Sequence, residues 1–215
     1  MMRKSYNKEL KEMRDEVIQM GDLVLKIFNH SSDTFFDKEP VSAEKLEKMV
    51  KKLETIEKGI EKMAASIITL QQPVAKDTRE IICAVRIAMS WLKIGSHIAD
   101  IYEYSDTCPE KIKNNPRERD VLKTIKAITH EMLIDAADAY KSRDTDKASI
   151  VAKKDDEVDL IFEEIRRDII KENDTTSFSL CSLMIVGHIE RIGDHIANIC
   201  EDIIYLERYE IVRLN

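Results

Sequence analysis

The sequence is poor in chain-breakers. Its 215 residues include only 5 glycines and 4 prolines, about half or less of average usage. That scarcity excludes collagen-like and low-complexity chains and argues against a turn-rich all-β fold. Aromatics are only 6%, so strand-formers are thin as well. Long apolar runs are missing: the longest, Leu180 to Ile189, covers ten residues and contains Ser182, Gly187 and His188. A membrane-spanning helix needs about 20. The opening stretch, MMRKSYNKELKEMRDE, lacks the apolar segment of a signal peptide. The expectation is a soluble, cytoplasmic chain. Dense basic runs are also absent, and 34 Lys and Arg stand against 41 Asp and Glu, for a net charge of −7. Such a chain repels a nucleic-acid backbone, so nucleic acid is not an expected partner. The four cysteines, Cys83, Cys108, Cys181 and Cys200, form no CxxC pair, and reduced thiols are expected. Cys83 and Cys181 read as small core residues. No phosphate-binding G-x-x-x-x-G-K-[ST], no H-E-x-x-H and no Ser/His/Asp motif is visible.

What the chain does have is helical periodicity, with 43% hydrophobic and 35% charged residues. Leu10, Met13, Val17, Met20, Val24, Ile27 and Ser31 alternate in steps of three and four, a heptad-like seam. This predicts a first helix over about 5–36, which Pro40 prevents from continuing. A second helix carries Leu46, Met49, Leu53, Ile56, Ile60, Met63 and Ile67 and ends near Gln72-Pro73. A third starts near Asp77, with Glu80 three residues on as in a capping box, carries Ile81, Val85, Met89 and Leu92, and reaches about Tyr104. The polar stretch 105–119 holds Pro109 and Pro116 and reads as a joint. Three more helices follow, over about 117–142, 144–171 and 177–209.

The two halves repeat. Residues 81–103 laid on 179–201 match at nine of 23 positions, including Cys83/Cys181, Gly95/Gly193, His97/His195 and Glu103/Glu201. The second and fifth helices align as well, Ile56 with Val158. The predicted fold is therefore all-α: two tandem, duplicated three-helix bundles, residues 1–108 and 117–215, built from six long helices. Gly95 and Gly193 lie inside helices, where glycine costs roughly 1 kcal/mol against alanine. Close helix–helix approach is the expected compensation.

Candidate chemistry lies in carboxylates. On a wheel of 100° per residue with Glu190 at zero, Asp194 falls near about 40°, Asn198 near about 80° and Glu201 near about 20°. Ile192, Ile196, Ile199 and Ile203 cluster on the opposite side, so the oxygen donors face a surface groove. On the fifth helix, Asp155 and Asp159 are four apart and share a face. Two helices presenting such pairs could converge on a cation, and carboxylates suit magnesium, calcium, manganese or iron better than copper(I). A solvated helix face fits the same spacing. The E-x-x-H pairs of di-iron bundles are lacking. Asp135 and Asp138 on the fourth helix are further possible ligands. His97 and His195 read as helix–helix packing or hydrogen-bonding groups, or as partners to ligands.

The stretch HIERIGDHIANICEDIIYLERYE, residues 188–210, resembles a signature of the PhoU family of phosphate-uptake regulators. QQPVAKDTREI at 71–81 and Met20-Gly21 within a heptad helix are similar to that family too, so the resemblance spans essentially the whole chain. It implies a dimer of chains that each hold two symmetric three-helix bundles. The resemblance also implies surface metal clusters held by acid-x-x-x-acid motifs, with iron or zinc as the metal and magnesium or manganese as alternatives. Carried onto this chain, the metal ligands would be Asp155, Asp159, Glu190 and Asp194, followed by Asn198 and Glu201. The first half departs from the pattern: Leu53 precedes Glu57, and Leu92 and Ser96 stand opposite Glu190 and Asp194, which leaves Glu57, Asp100 and Glu103 as donors. The family resemblance implies no catalytic activity. It implies repression of the phosphate-starvation response through two partners, the ATPase subunit of a phosphate ABC transporter and a phosphate-sensing histidine kinase, with the membrane reached only through them. Two other readings stay open: a metal-dependent hydrolase built on the same carboxylates, and an accessory protein of a different phosphate permease.

Overall fold

A computed structural model describes residues 2–37, 42–107, 116–172 and 177–209. Among them are six helices: α1 (Met2–Asp37), α2 (Ala43–Gln71), α3 (Ala75–Thr107), α4 (Pro116–Ser142), α5 (Thr145–Glu172) and α6 (Ser177–Arg208). No strand occurs among the described residues. The predicted joint falls largely between α3 and α4, outside the described residues.

The heptad seam of α1 is its buried face: Met13, Val17, Met20, Val24, Ile27 and Ser31 are all buried. On α2, Leu46, Leu53, Ile60 and Ile67 point inward, while Met49, Ile56 and Met63 pack at the edge. Ser42 caps α2 by accepting from the backbone N–H of Lys45, and Gln72 ends it in the left-handed region at φ 47°, just before Pro73.

The start of α3 differs from its predicted form. Asp77 lies inside the first turn and Glu80 in the turn after it, instead of forming a capping box. Each carboxylate has a stronger tertiary partner: the Tyr6 hydroxyl donates to Asp77 at 2.5 Å, and Arg143 pairs with Glu80. Met89, expected on the inward face, is exposed, and Ile81, Ile87, Trp91, Ile94 and Ile98 form the buried side of α3. The reason is packing on three sides, since α3 contacts α1, α2 and α6. This setting also explains its composition. Ala75–Ser105 is long and apolar enough to cross a membrane by length and composition, but 56% of its most apolar stretch is buried within the bundle. That is the character of a core helix.

The contacts repeat with the halves exchanged. α2 packs on α1 and α3, and α5 packs on α4 and α6; the halves meet along α3–α6 and α1–α4. So α1, α3, α6 and α4 close a ring around one continuous core, with α2 and α5 outside it. Ion pairs stitch the halves together. Arg86 of α3 reaches the buried Asp202 of α6 at 3.0 Å. Arg143, held at φ 58° between α4 and α5, bridges Glu80 of α3 and Glu207 of α6, the latter at 2.8 Å.

Gly95 and Gly193 sit where helices approach each other closely. A Cβ on Gly95 would lie 2.4 Å from Cδ1 of Leu53, and a Cβ on Gly193 would lie 2.0 Å from Oδ1 of Asp155. Leu53 and Asp155 are themselves equivalent under the repeat of α2 onto α5. Each half thus presses an α2 or α5 side chain into a glycine notch, a leucine in one half and an aspartate in the other.

The cysteines depart from the expectation of four reduced thiols. Cys83 and Cys200 are free and buried, and burial pushes the Cys83 thiol up to about 12. Cys181, the repeat partner of Cys83, is disulfide-bonded. Lack of CxxC spacing excludes only close-in-sequence pairing; a long-range disulfide depends on tertiary proximity, which spacing does not encode.

Candidate metal centre

The isoleucine stripe of α6 is buried as predicted, and the acidic column opposite it faces outward. Asp194 and Asn198 are exposed, and Glu190 and Glu201 are half-buried. Across the groove, α5 contributes the half-buried Asp159. Asp159, Glu190 and Asp194 lie close enough to feel one another. Burial first, and then neighbouring carboxylates, raise the pKa values of Asp159 and Glu190. Burial is the leading cause for Asp194 as well, opposed by Arg191. A fourth acid belongs to the group: Glu163 on α5 acts on both Asp159 and Glu190. It continues the four-residue spacing Asp155, Asp159, Glu163, a signal present in the sequence.

The predicted set does not converge as one cluster. Asp155 is completely buried, pressed against Gly193 rather than facing the groove. Its charge acts on the core thiol of Cys200, as do those of Glu201 and Asp135. Periodicity gave its face correctly, but the glycine notch opposite sets its depth. Asn198 and Glu201 line a separate open groove of about 350 Å³ with His97, Arg191, Asp194, His195 and Ala197. Asp194 is shared by both regions. On α4, Asp135 and Asp138 face Lys147 of α5, at 3.5 and 4.0 Å.

Asp159, Glu190, Asp194 and Glu163 therefore make an oxygen-rich, partly desolvated group in which burial and like charge raise the pKa values of Asp159 and Glu190. The first half is different. Leu53 occupies the glycine notch, Ser96 spends its hydroxyl on the Leu92 carbonyl at 3.1 Å, and the buried Glu57 has Glu61 as its acidic neighbour.

A second group sits at the seam between the halves. His97 stacks on His195, its repeat equivalent, with ring centroids 5.7 Å apart. The Nδ1 of His97 lies 3.2 Å from the Nδ1 of His188. Both approach Asp100 Oδ2, at 3.6 and 3.5 Å. Burial is the leading cause that lowers the pKa of each of the three histidines. The sequence singled out His97 and His195 through the repeat, but His188 aligns with Ser90 and so gave no repeat signal. Its seven-residue spacing from His195 puts both on one face of α6 and could have found it.

These features define an all-helical, duplicated bundle with clusters of charged side chains in the grooves between helices. Comparison with known proteins sharpens that class. The PhoU domain model matches residues 17–105 and 122–203. The chain is 31% identical over 227 aligned positions to the phosphate-specific transport system accessory protein PhoU homolog of Clostridium acetobutylicum, covering all of both chains. It is 29% identical to the homolog of Streptococcus pneumoniae, again over the whole of each. The crystal structure of PhoU from Pseudomonas aeruginosa superposes with a TM-score of 0.84 at 26% identity, over 95% of this chain and 100% of that one. The phosphate transport system regulatory protein PhoU from Streptococcus pneumoniae superposes with a TM-score of 0.84 at 27% identity, over 97% and 99%. The chain belongs to the PhoU family.

Proposed function

We propose that this protein is an accessory regulator of a phosphate-specific transport system. It engages the transporter's ATPase subunit and a phosphate-sensing histidine kinase and holds the kinase in its non-phosphorylating state when phosphate is plentiful. The observation that carries this reading is full-length likeness, in sequence and fold, to proteins named as accessory or regulatory components of phosphate transport. The physical basis is population shift: an adaptor that binds one conformation of a kinase better than the other moves the balance by its differential affinity. The six helices of 27–36 residues supply long charged faces for such contacts.

The carboxylate group is read as a regulatory or structural metal site and not as a catalytic one. Asp159, Glu190 and Asp194 would hold the ion, with Glu163 beside them. A bound cation would neutralise their mutual repulsion and fix the α5–α6 groove. Asp155, buried in the Gly193 notch, supports the α5–α6 contact.

The test has two parts. The purified chain is offered to the ATPase subunit and to the kinase's cytoplasmic portion in separate pull-downs. A starvation-responsive reporter is also followed in cells lacking the chain and grown in excess phosphate. Binding to both partners and a reporter that stays on are expected. A reporter that stays off, with neither partner bound, would overturn the proposal. Binding to another permease alone would favour the different-permease reading.

A further inference from the structure

The histidine group at the α3–α6 seam is distinct from the carboxylate group and independent of the transport reading. Its three donor atoms are His97 Nδ1, His188 Nδ1 and Asp100 Oδ2. They form a triangle with edges of 3.2, 3.6 and 3.5 Å. Donors held tetrahedrally about 2.0–2.1 Å from one ion lie roughly 3.3–3.4 Å apart. A tetrahedral ion sits just above the plane of such a triangle, and the observed edges would put it about 2.1 Å from each atom, within the bond lengths of imidazole nitrogen and carboxylate oxygen on zinc. The triangle is already close to the face of a tetrahedral site.

We propose that His97, Asp100 and His188 bind one first-row divalent cation of the zinc type, with a fourth position open to water. Two imidazoles and one carboxylate suit zinc, cobalt or nickel better than calcium or magnesium, which take all-oxygen shells. The fourth position is reachable because His97 borders the open groove and the Asp100 side chain is 46% exposed. Around the ligands, His195 stacks on His97 and the Tyr104 ring lies against His188 with centroids 5.3 Å apart, which fixes both imidazole planes. Arg191 is the neighbouring positive charge that opposes the ion, and Asp100 is the charge that offsets it.

The placement gives the site a role. His97 and Asp100 come from α3 and His188 from α6, so one ion would clamp the two halves together. The carboxylate group, by contrast, lies entirely within the second half.

The experiment uses the full-length chain stripped of metal. It compares the parent with Asp159→Asn/Asp194→Asn, which silences the carboxylate group, and with His188→Gln and Asp100→Asn. Zinc binding is followed by calorimetry, and cobalt binding by visible absorption, whose intensity distinguishes four-coordinate from six-coordinate ions. The carboxylate variant is expected to bind one ion with a four-coordinate cobalt spectrum, and the parent to show that same spectrum whatever else its carboxylate group takes up. His188→Gln and Asp100→Asn are expected to weaken that site at least about tenfold. The proposal is overturned if the carboxylate variant takes up no stoichiometric zinc, or if both histidine-site variants bind as the parent does. If His188→Gln loses its helical circular dichroism, the half-exposed Asp100→Asn decides alone.

Discussion

Placing one methyl group at three different mid-helix glycines tests the packing argument. At Gly59 a new Cβ meets nothing within 4 Å; at Gly95 it meets Leu53 Cδ1 at 2.4 Å; at Gly193 it meets Asp155 Oδ1 at 2.0 Å and Cγ at 3.2 Å. The helix-propensity gain is the same at all three, about 1 kcal/mol for glycine to alanine. The steric cost is not. Leu53 and Asp155 are both fully buried, so neither can swing aside into solvent. Forcing a methyl into such packing costs about 1–3 kcal/mol. Gly59→Ala should therefore stabilise by about 0.5–1 kcal/mol. Gly95→Ala and Gly193→Ala should lose that gain and destabilise by up to about 2 kcal/mol net. At roughly 2–4 °C per kcal/mol for a chain of this size, thermal melts followed by circular dichroism should separate Gly59→Ala from the other two by several degrees. A double-mutant cycle isolates the contact: with Asp155→Ala present, Gly193→Ala should lose its cost, a coupling of about 1 kcal/mol or more. Equal melting shifts for all three alanines, or no coupling to Asp155, would refute the notch.

Three further predictions follow from other contacts. The double variant Glu190→Ala/Asp194→Ala should strip metal from the α5–α6 groove with helicity nearly intact; full metal content by plasma mass spectrometry would show the assignment wrong. Burial, and then Glu61, raise the pKa of Glu57 against a smaller opposing effect of Lys58, so its ionisation costs folding energy as pH rises through the folded-state value. Glu57→Gln should accordingly melt higher than the parent at neutral pH, with the gap closing as pH falls toward the ordinary glutamate range; a gap independent of pH would contradict it. Arg143→Ala removes the bridge between Glu80 and Glu207 and should cost about 1–2 kcal/mol, less in high salt because the group is partly solvated. Urea unfolding at two ionic strengths checks both the size and the salt dependence.

The architecture was legible because it rests on periodicity. The 3-4 seam of α1 and the isoleucine stripe of α6 face the core as their spacing requires, and Gly95 and Gly193 do mark close approaches. Depth was less legible. Four-residue spacing placed Asp155 and Asp159 on one face of α5, but only the notch at Gly193 decides that Asp155 is buried while Asp159 reaches the groove. Partners distant in sequence were not legible from local motifs. Asp77 and Glu80 looked like a cap, yet Tyr6, 71 residues away, and Arg143, 63 residues away, claim them. The same holds for His188, whose meaning depends on His97, 91 residues earlier.

Leu53 and Asp155 fill equivalent notches with opposite chemistry. In a symmetric pair of identical chains, every substitution appears twice. An aspartate introduced at that position would then bury two carboxylates, and a leucine would remove both. Covalent fusion of the halves lifts that constraint. One copy can keep a greasy plug and serve as ballast for the fold, while the other takes on a buried carboxyl group and a neighbouring acidic groove. The asymmetry of one side chain is a division of labour that a single gene for two linked repeats permits and a self-pairing subunit does not.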